Sequence, residues 1–178
     1  MPILIQLIYF EGVSPEQYKW FTQDYMKRIQ EITSDKVLKI EPIMQEEGCT
    51  LAHQRVCPPV PLVSPRSSII CYYYQEDDGA DGNHTFCYST RGNEAMADAM
   101  KDEIGSDVYS DIEVNLIKTT ARKDAQGKIV GTEVQNVIAQ APNGSMPRMF
   151  VDQMTKHQSS TIIRINDYIM KNTQYTGK

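Results

Sequence analysis

Three histidines and four cysteines are the side chains best suited to metal binding, acid–base work or nucleophilic chemistry. His53, His84 and His157 each lie on an expected strand or helix, and none has an Asp, Glu or His at metal-ligand spacing. They read as structural histidines, buried or on the surface. Cys49, Cys57, Cys71 and Cys87 are spaced by 8, 14 and 16 residues, and no CxxC pair forms. With no export signal ahead of them, four reduced and partly buried thiols are expected. Ser64, Ser67, Ser68 and Ser89 occupy no Gly-x-Ser-x-Gly setting. The turn Gly79-Ala80-Asp81-Gly82 is acidic and would repel a phosphate. A catalytic reading would need two titratable groups facing one pocket, such as His84 or His157 beside Asp152 or Glu113. The expectation is a chain without enzymatic activity, cofactor or metal.

Charge narrows the partners. The 178 residues carry 18 Lys+Arg against 23 Asp+Glu, a net charge of -5, and the pI is near 5.2. No basic run exists, so nucleic acid is excluded as a general partner, because phosphate neutralisation needs clustered cations. Permanent residence on anionic lipid is disfavoured for the same reason. The stretch from Val134 to Pro147 is the longest without charge, and it is too short and polar to cross a bilayer. MPILIQLIYF lacks the basic region and cleavage site of a signal peptide, and the first cation is Lys19. A cytoplasmic protein is expected, the alternative being a mitochondrial or cytoskeletal association reached without a recognisable presequence. Asn83-His84-Thr85 and Asn143-Gly144-Ser145 are read as turns rather than glycosylation sites.

The elements that would position these residues are well marked. Residues 3–10 form one apolar strand. Ser14-Pro15-Glu16-Gln17 is a helix start with a capping box, and Tyr18, Phe21, Tyr25, Ile29 and Ile32 then recur at helical steps. This predicts a helix from Pro15 to Thr33. β-Branched and aromatic segments near 37–45, 50–57, 67–76, 84–91, 107–123 and 128–140 are separated by acidic, Gly-rich or Pro-rich turns, the pattern of antiparallel hairpins. Residues 92–105 are rich in Ala, Met and Glu and predict two helical turns between strands. An amphipathic helix is predicted from Pro147 to Met170, about 36 Å long at 1.5 Å per residue. One domain over 1–178 is expected, its sheet over 37–141 and its long helix over 147–170.

Two stretches resemble START domains, within the START/Bet v 1-like (SRPBCC, helix-grip) superfamily. Pro58-Pro59-Val60-Pro61-Leu62-Val63-Ser64-Pro65-Arg66-Ser67 is similar to that family's proline-rich, then Pro-Arg-Asp, entry to a central strand, here Ser68 to Tyr74. Thr132-Glu133-Val134 and Pro142 to Val151 are similar to its last strand and its Gly-x-x-Pro turn into the final helix. The family's Asp after Pro-Arg is Ser67 here, its N-terminal helix ahead of the first strand is not seen, and no cavity arginine matches around 107–111.

The resemblance implies an α+β helix-grip fold: a curved antiparallel sheet of about seven strands wrapped around the C-terminal helix. It implies an interior that holds a lipid or other apolar small molecule, with transient membrane contact during exchange. The alternative is a structural or accessory subunit docked in a larger protein assembly, without transfer activity. Candidates for lining the interior or its lid are Tyr73, Phe86, Tyr88, Met96, Met100, Val114, Met149, Phe150, Met154 and His157. Only alternate residues of Tyr72-Tyr73-Tyr74 can face inward. Arg66 is read as a structural partner for a carboxylate on a neighbouring strand, because a charge inside a barrel is costly unless paired.

Overall fold

The computed structural model describes residues 3–33, 37–58, 63–77, 79, 81–141, 143 and 148–173, except the side chains of 148–155 and 157–159. The chain opens with β1 (Ile3–Glu11), whose side chains alternate between exposed and half-buried as a strand with one covered face requires. Ser14 then caps helix α1 (Pro15–Gln23). Its hydroxyl accepts from the Gln17 amide at 3.3 Å, and Gln17 Oε1 accepts from the Ser14 amide at 2.8 Å.

The single helix expected over Pro15–Thr33 is broken at Asp24, where φ is -125° and ψ 34°, and helix α2 (Tyr25–Ile32) follows. The cause is local. The Thr22 hydroxyl bonds back to the carbonyls of Tyr18 and Lys19, both at 3.2 Å, and Asp24 is a weak helix former.

The rest of the sheet comprises β2 (Leu38–Glu46), β3 (Cys49–Val56), β4 (Arg66–Glu76), β5 (His84–Ser89), β6 (Val108–Tyr109), β7 (Asp111–Lys123) and β8 (Ile129–Ala141). Its order is β1-β8-β7-β5-β4-β3-β2, all antiparallel, so this curved sheet is unclosed and β1 and β2 are its edges. The strand expected over 107–123 divides: β6 pairs in parallel with the start of β4, and β7 begins after Ser110. Helices α3 (Glu94–Ala99) and α4 (Lys101–Ile104) fill the 92–105 segment, with Met100 between them. Helix α5 (Arg148–Asn172) closes the chain.

One face of the sheet carries Phe10, Tyr72, Phe86, Ile117 and Val134, and α1, α2 and the second half of α5 pack on it through Tyr18, Phe21, Ile29, Ile162, Ile165 and Ile169. The expectation of four reduced thiols is corrected by a Cys49–Cys71 disulfide; Cys57 and Cys87 are free. Antiparallel pairing of β3 with β4 brings the two Cα atoms within 6.5 Å across 22 residues of sequence. Spacing alone carries no trace of that register.

Candidate functional site

The inner face is a trough with two unlike ends, set by strand direction. At one end lie Phe10, Tyr74, His84, Thr119 and Val134, beneath α1. At the other lie Leu4, Ser68, Ile70, Ile112 and Ile138, where residue 143 leads into α5. Between them α2 lowers Tyr25 onto the sheet. Its ring centroid is 4.6 Å from Phe86, 5.9 Å from Tyr72 and 6.0 Å from Tyr88, and Tyr72 and Tyr88 are 5.1 Å apart.

These phenols are tied in place. Tyr72 donates to Gln54 Oε1 at 3.1 Å, and Asn115 Nδ2 donates to the Tyr88 oxygen at 2.7 Å. Burial pushes the Tyr88 hydroxyl up to about 12 and the Tyr72 hydroxyl well above its ordinary value. Both therefore stay protonated at any physiological pH. The middle of the trough is filled by the protein's own aromatic rings.

His84 closes the α1 end. It is fully buried, with Nε2 2.9 Å from the Thr22 hydroxyl and Nδ1 2.9 Å from that of Thr119 and 3.0 Å from the Gly82 carbonyl. Every ring nitrogen is satisfied, and burial lowers its affinity for a proton. Nothing is left over to bind a metal or abstract a proton.

His53 stands on the opposite face of the sheet. Its Nε2 lies 3.1 Å from Ser67 Oγ; Ser67 donates to Asp107 Oδ2 at 2.8 Å, and Arg55 grips both Asp107 oxygens at 2.6 and 3.1 Å. The Arg55 guanidinium holds the Asp107 carboxyl below the usual carboxylate range. A serine, a histidine and an aspartate thus meet, but the serine sits between the other two, donating to the carboxylate and not to the imidazole. Ser67 is also wholly buried. This web fastens the segment before β7 to β4, and a carboxylate sits beside Ser67 after all, supplied by Asp107.

Arg66 is buried and donates to the carbonyl oxygens of Ser64 and, at 3.4 Å, Asn143. It links the start of β4 to residue 143 through these carbonyls. Burial pulls its guanidinium below its ordinary value.

The structure brings Phe86 and Tyr88 together at the centre of the inner face. It removes Tyr73 and Val114 from the interior. Tyr73 alternates with the inward Tyr72 and is 44% exposed on the far side. Val114 precedes Asn115, which reaches inward to Tyr88, so strand alternation turns Val114 outward beside its partner Ala139. Met96 and Met100 are half-buried in the segment that packs along β4, where Asn93 donates to the Ile69 carbonyl at 3.0 Å. Met149, Phe150, Met154 and His157 fall on the first half of α5, and their side chains lie outside the described residues.

Sequence reasoning missed Tyr25, Gln54 and Asn115 as inner-face groups. Tyr25 was visible on the helical stripe, but only the break at Asp24 aims it at the sheet. Gln54 and Asn115 gave no signal beyond their parity with inward neighbours. Among the described residues no cluster of His, Cys, Asp or Glu could hold a metal ion, and no helix is long and apolar enough to cross a membrane.

No family model and no curated protein matches this sequence. Solved structures do match in shape. Human STARD10 superposes with a TM-score of 0.72 at 10% identity, over 96% of this chain and 64% of that one. This chain thus spans about two-thirds of that structure's length. Human StAR-related lipid transfer protein 5 gives 0.67 at 11%, over 95% and 76% of the two chains. Ara h 8.0201 gives 0.52 at 12%, over 96% and 99%. The unclosed sheet, its helix-covered inner face and these superpositions agree that the chain has the START/Bet v 1-like helix-grip fold.

Proposed function

We propose that the protein binds, without catalysis, a lipid or similarly apolar molecule between the Leu4–Ile138 end of the trough and the first half of α5. One observation carries this reading. The inner face continues past the aromatic cluster through Leu4, Ile70, Ile112 and Ile138, while α1 lies over the other end and α2 runs from the centre toward β2, where Gln30 Oε1 accepts from the Ile40 amide at 2.8 Å. The first half of α5 would roof this end. The first dozen residues of α5 span about 18 Å, enough to roof an acyl chain or a fused-ring body. Neutral donors and acceptors at its border (Gln54, Asn115, Ser68) would suit a guest with one uncharged polar group. The likeness to a protein named for lipid transfer supports the same reading. Burial of the guest supplies about 0.8 kcal/mol per methylene.

Transfer requires the guest to leave, so α5 or the α3–α4 segment must shift at a membrane surface. Purified protein extracted with organic solvent should yield an apolar compound near one per chain. Ile138→Trp should fill the site and empty the extract while leaving the chain folded. An extract free of any compound, with no uptake of fatty-acid or sterol probes, would sink the reading.

The Tyr25–Tyr72–Phe86–Tyr88 cluster favours a second reading, in which the interior is filled throughout and the fold serves as a docking subunit without transfer activity. Co-migration of the native protein with a large assembly, and no bound lipid, is the outcome it requires.

A further inference from the structure

The two edges of the sheet are built to opposite rules. β2 is blunted: it carries Lys39, Glu41, Pro42 and Glu46, and its register with β3 shifts between Pro42 and Met44. Charge, proline and a bulge are the usual defences of an edge strand. β1 has none of them. Its nine residues pair with β8 in one unbroken register, and the first charged residue of the chain is Glu11, at the strand's far end. Its outward side chains are apolar and open, Ile3 at 64%, Ile5 at 67%, Leu7 at 66% and Tyr9 at 48% exposure. Val114, Leu116 and Val137 extend this strip, half-buried, across β7 and β8.

We infer that β1 is the dimerisation strand of this protein: it pairs antiparallel with β1 of a second copy, joining two sheets across a two-fold axis near Leu7. The occupant must satisfy backbone groups as well as cover side chains. A bilayer cannot do that, because an open strand edge in hydrocarbon leaves amides and carbonyls without partners. An identical strand can. Centred on Leu7, the pairing sets Ile5 opposite Tyr9 of the second copy and Glu11 opposite its Ile3. The two Glu11 carboxylates then lie at opposite ends of the ladder, and no like charges meet.

The area sets the strength. The four open side chains offer about 300 Å² of apolar surface per copy at ordinary burial values. A coplanar ladder covers the paired backbone and the flanks of these side chains, not the strip on β7 and β8, so the interface stays below about 1,000 Å² in total, the size of a weak contact. A weak dimer follows, and it closes at two because pairing consumes the one unblunted edge.

Sedimentation velocity across about 1–200 μM should show the 20.3 kDa chain passing toward a species of twice that mass as concentration rises. Ile5→Lys with Leu7→Lys places four cations at the axis and should weaken the dimer at least about tenfold, because hot-spot losses at an interface centre reach that size. Both sites are open in the monomer, so its melting temperature should hardly move. Ile43→Lys with Met44→Lys on the blunted edge should leave the mass profile unchanged. A monomer at every concentration, a dimer indifferent to the β1 pair, or growth beyond two would each overturn the proposal. So would a monomer that floats with phosphatidylcholine vesicles in a manner lost with Ile5 and Leu7, which would give the strip to membrane instead.

Discussion

His84 and His53 are buried as neutral imidazoles, and burial is the leading reason that both hold a proton less readily than in the unfolded chain. The sign of the pH effect follows. As pH falls below about 6.5, the unfolded chain takes up protons that the folded chain refuses, so stability is lost on acidification, by up to about 1.4 kcal/mol per pH unit for each imidazole. The urea midpoint should drop between pH 7.5 and 5.5, and His53→Gln should remove about half of that slope. A midpoint flat across this interval would show both rings free to protonate in place. Phe86 is a core residue whatever the trough holds, so Phe86→Ala should cost about 3–5 kcal/mol in denaturant unfolding. Legibility at this scale was uneven. Period-two alternation assigned Phe86 and Tyr88 to one face correctly. Choosing Tyr73 over Tyr72 was a choice of parity, and only the register with Phe86 and Tyr88 settles it. Val114 failed for a related reason: the bulge between Ile112 and Val114 shifts the alternation within β7.

Elements were the most legible level, because each carries its own punctuation. Ser14, Pro15 and Gln17 start α1 in the structure as their types and spacing demand. Ser14→Ala removes one half of the capping box, and a loss of about 1 kcal/mol in thermal or urea unfolding is expected. An unchanged midpoint would mean the helix start is held by packing alone. The stripe Tyr18, Phe21, Tyr25, Ile29, Ile32 is continuous in sequence but not in space. Helical spacing cannot register a break whose cause is a threonine back-bond followed by a poor helix former. The 107–123 strand hid its division similarly, because pairing of Val108–Tyr109 with β4 is a tertiary event. Lys19 illustrates the same limit, reaching Glu76 at 2.9 Å from 57 residues away.

At the scale of the whole molecule, a curved sheet gripping helices followed from the order of elements and from the resemblance, and the observed fold agrees with both. What order could not convey is how far the chain fills its own trough. That depends on where α2 turns after Asp24 and sets Tyr25 against Phe86. Nor could it convey the Cys49–Cys71 bond, which depends on register. Thiol titration in denaturant should find two reactive cysteines before reduction and four after it, and reduction should cost about 2–4 kcal/mol of stability. Four reactive thiols from the start would contradict the bond. The central claim concerns what occupies the Leu4–Ile138 end of the trough. Native mass spectrometry of the purified protein measures that directly. A mass above that of the bare chain, falling to it on mild activation with release of one apolar molecule, is the predicted result. A bare chain that stays bare after incubation with lipid vesicles would contradict it.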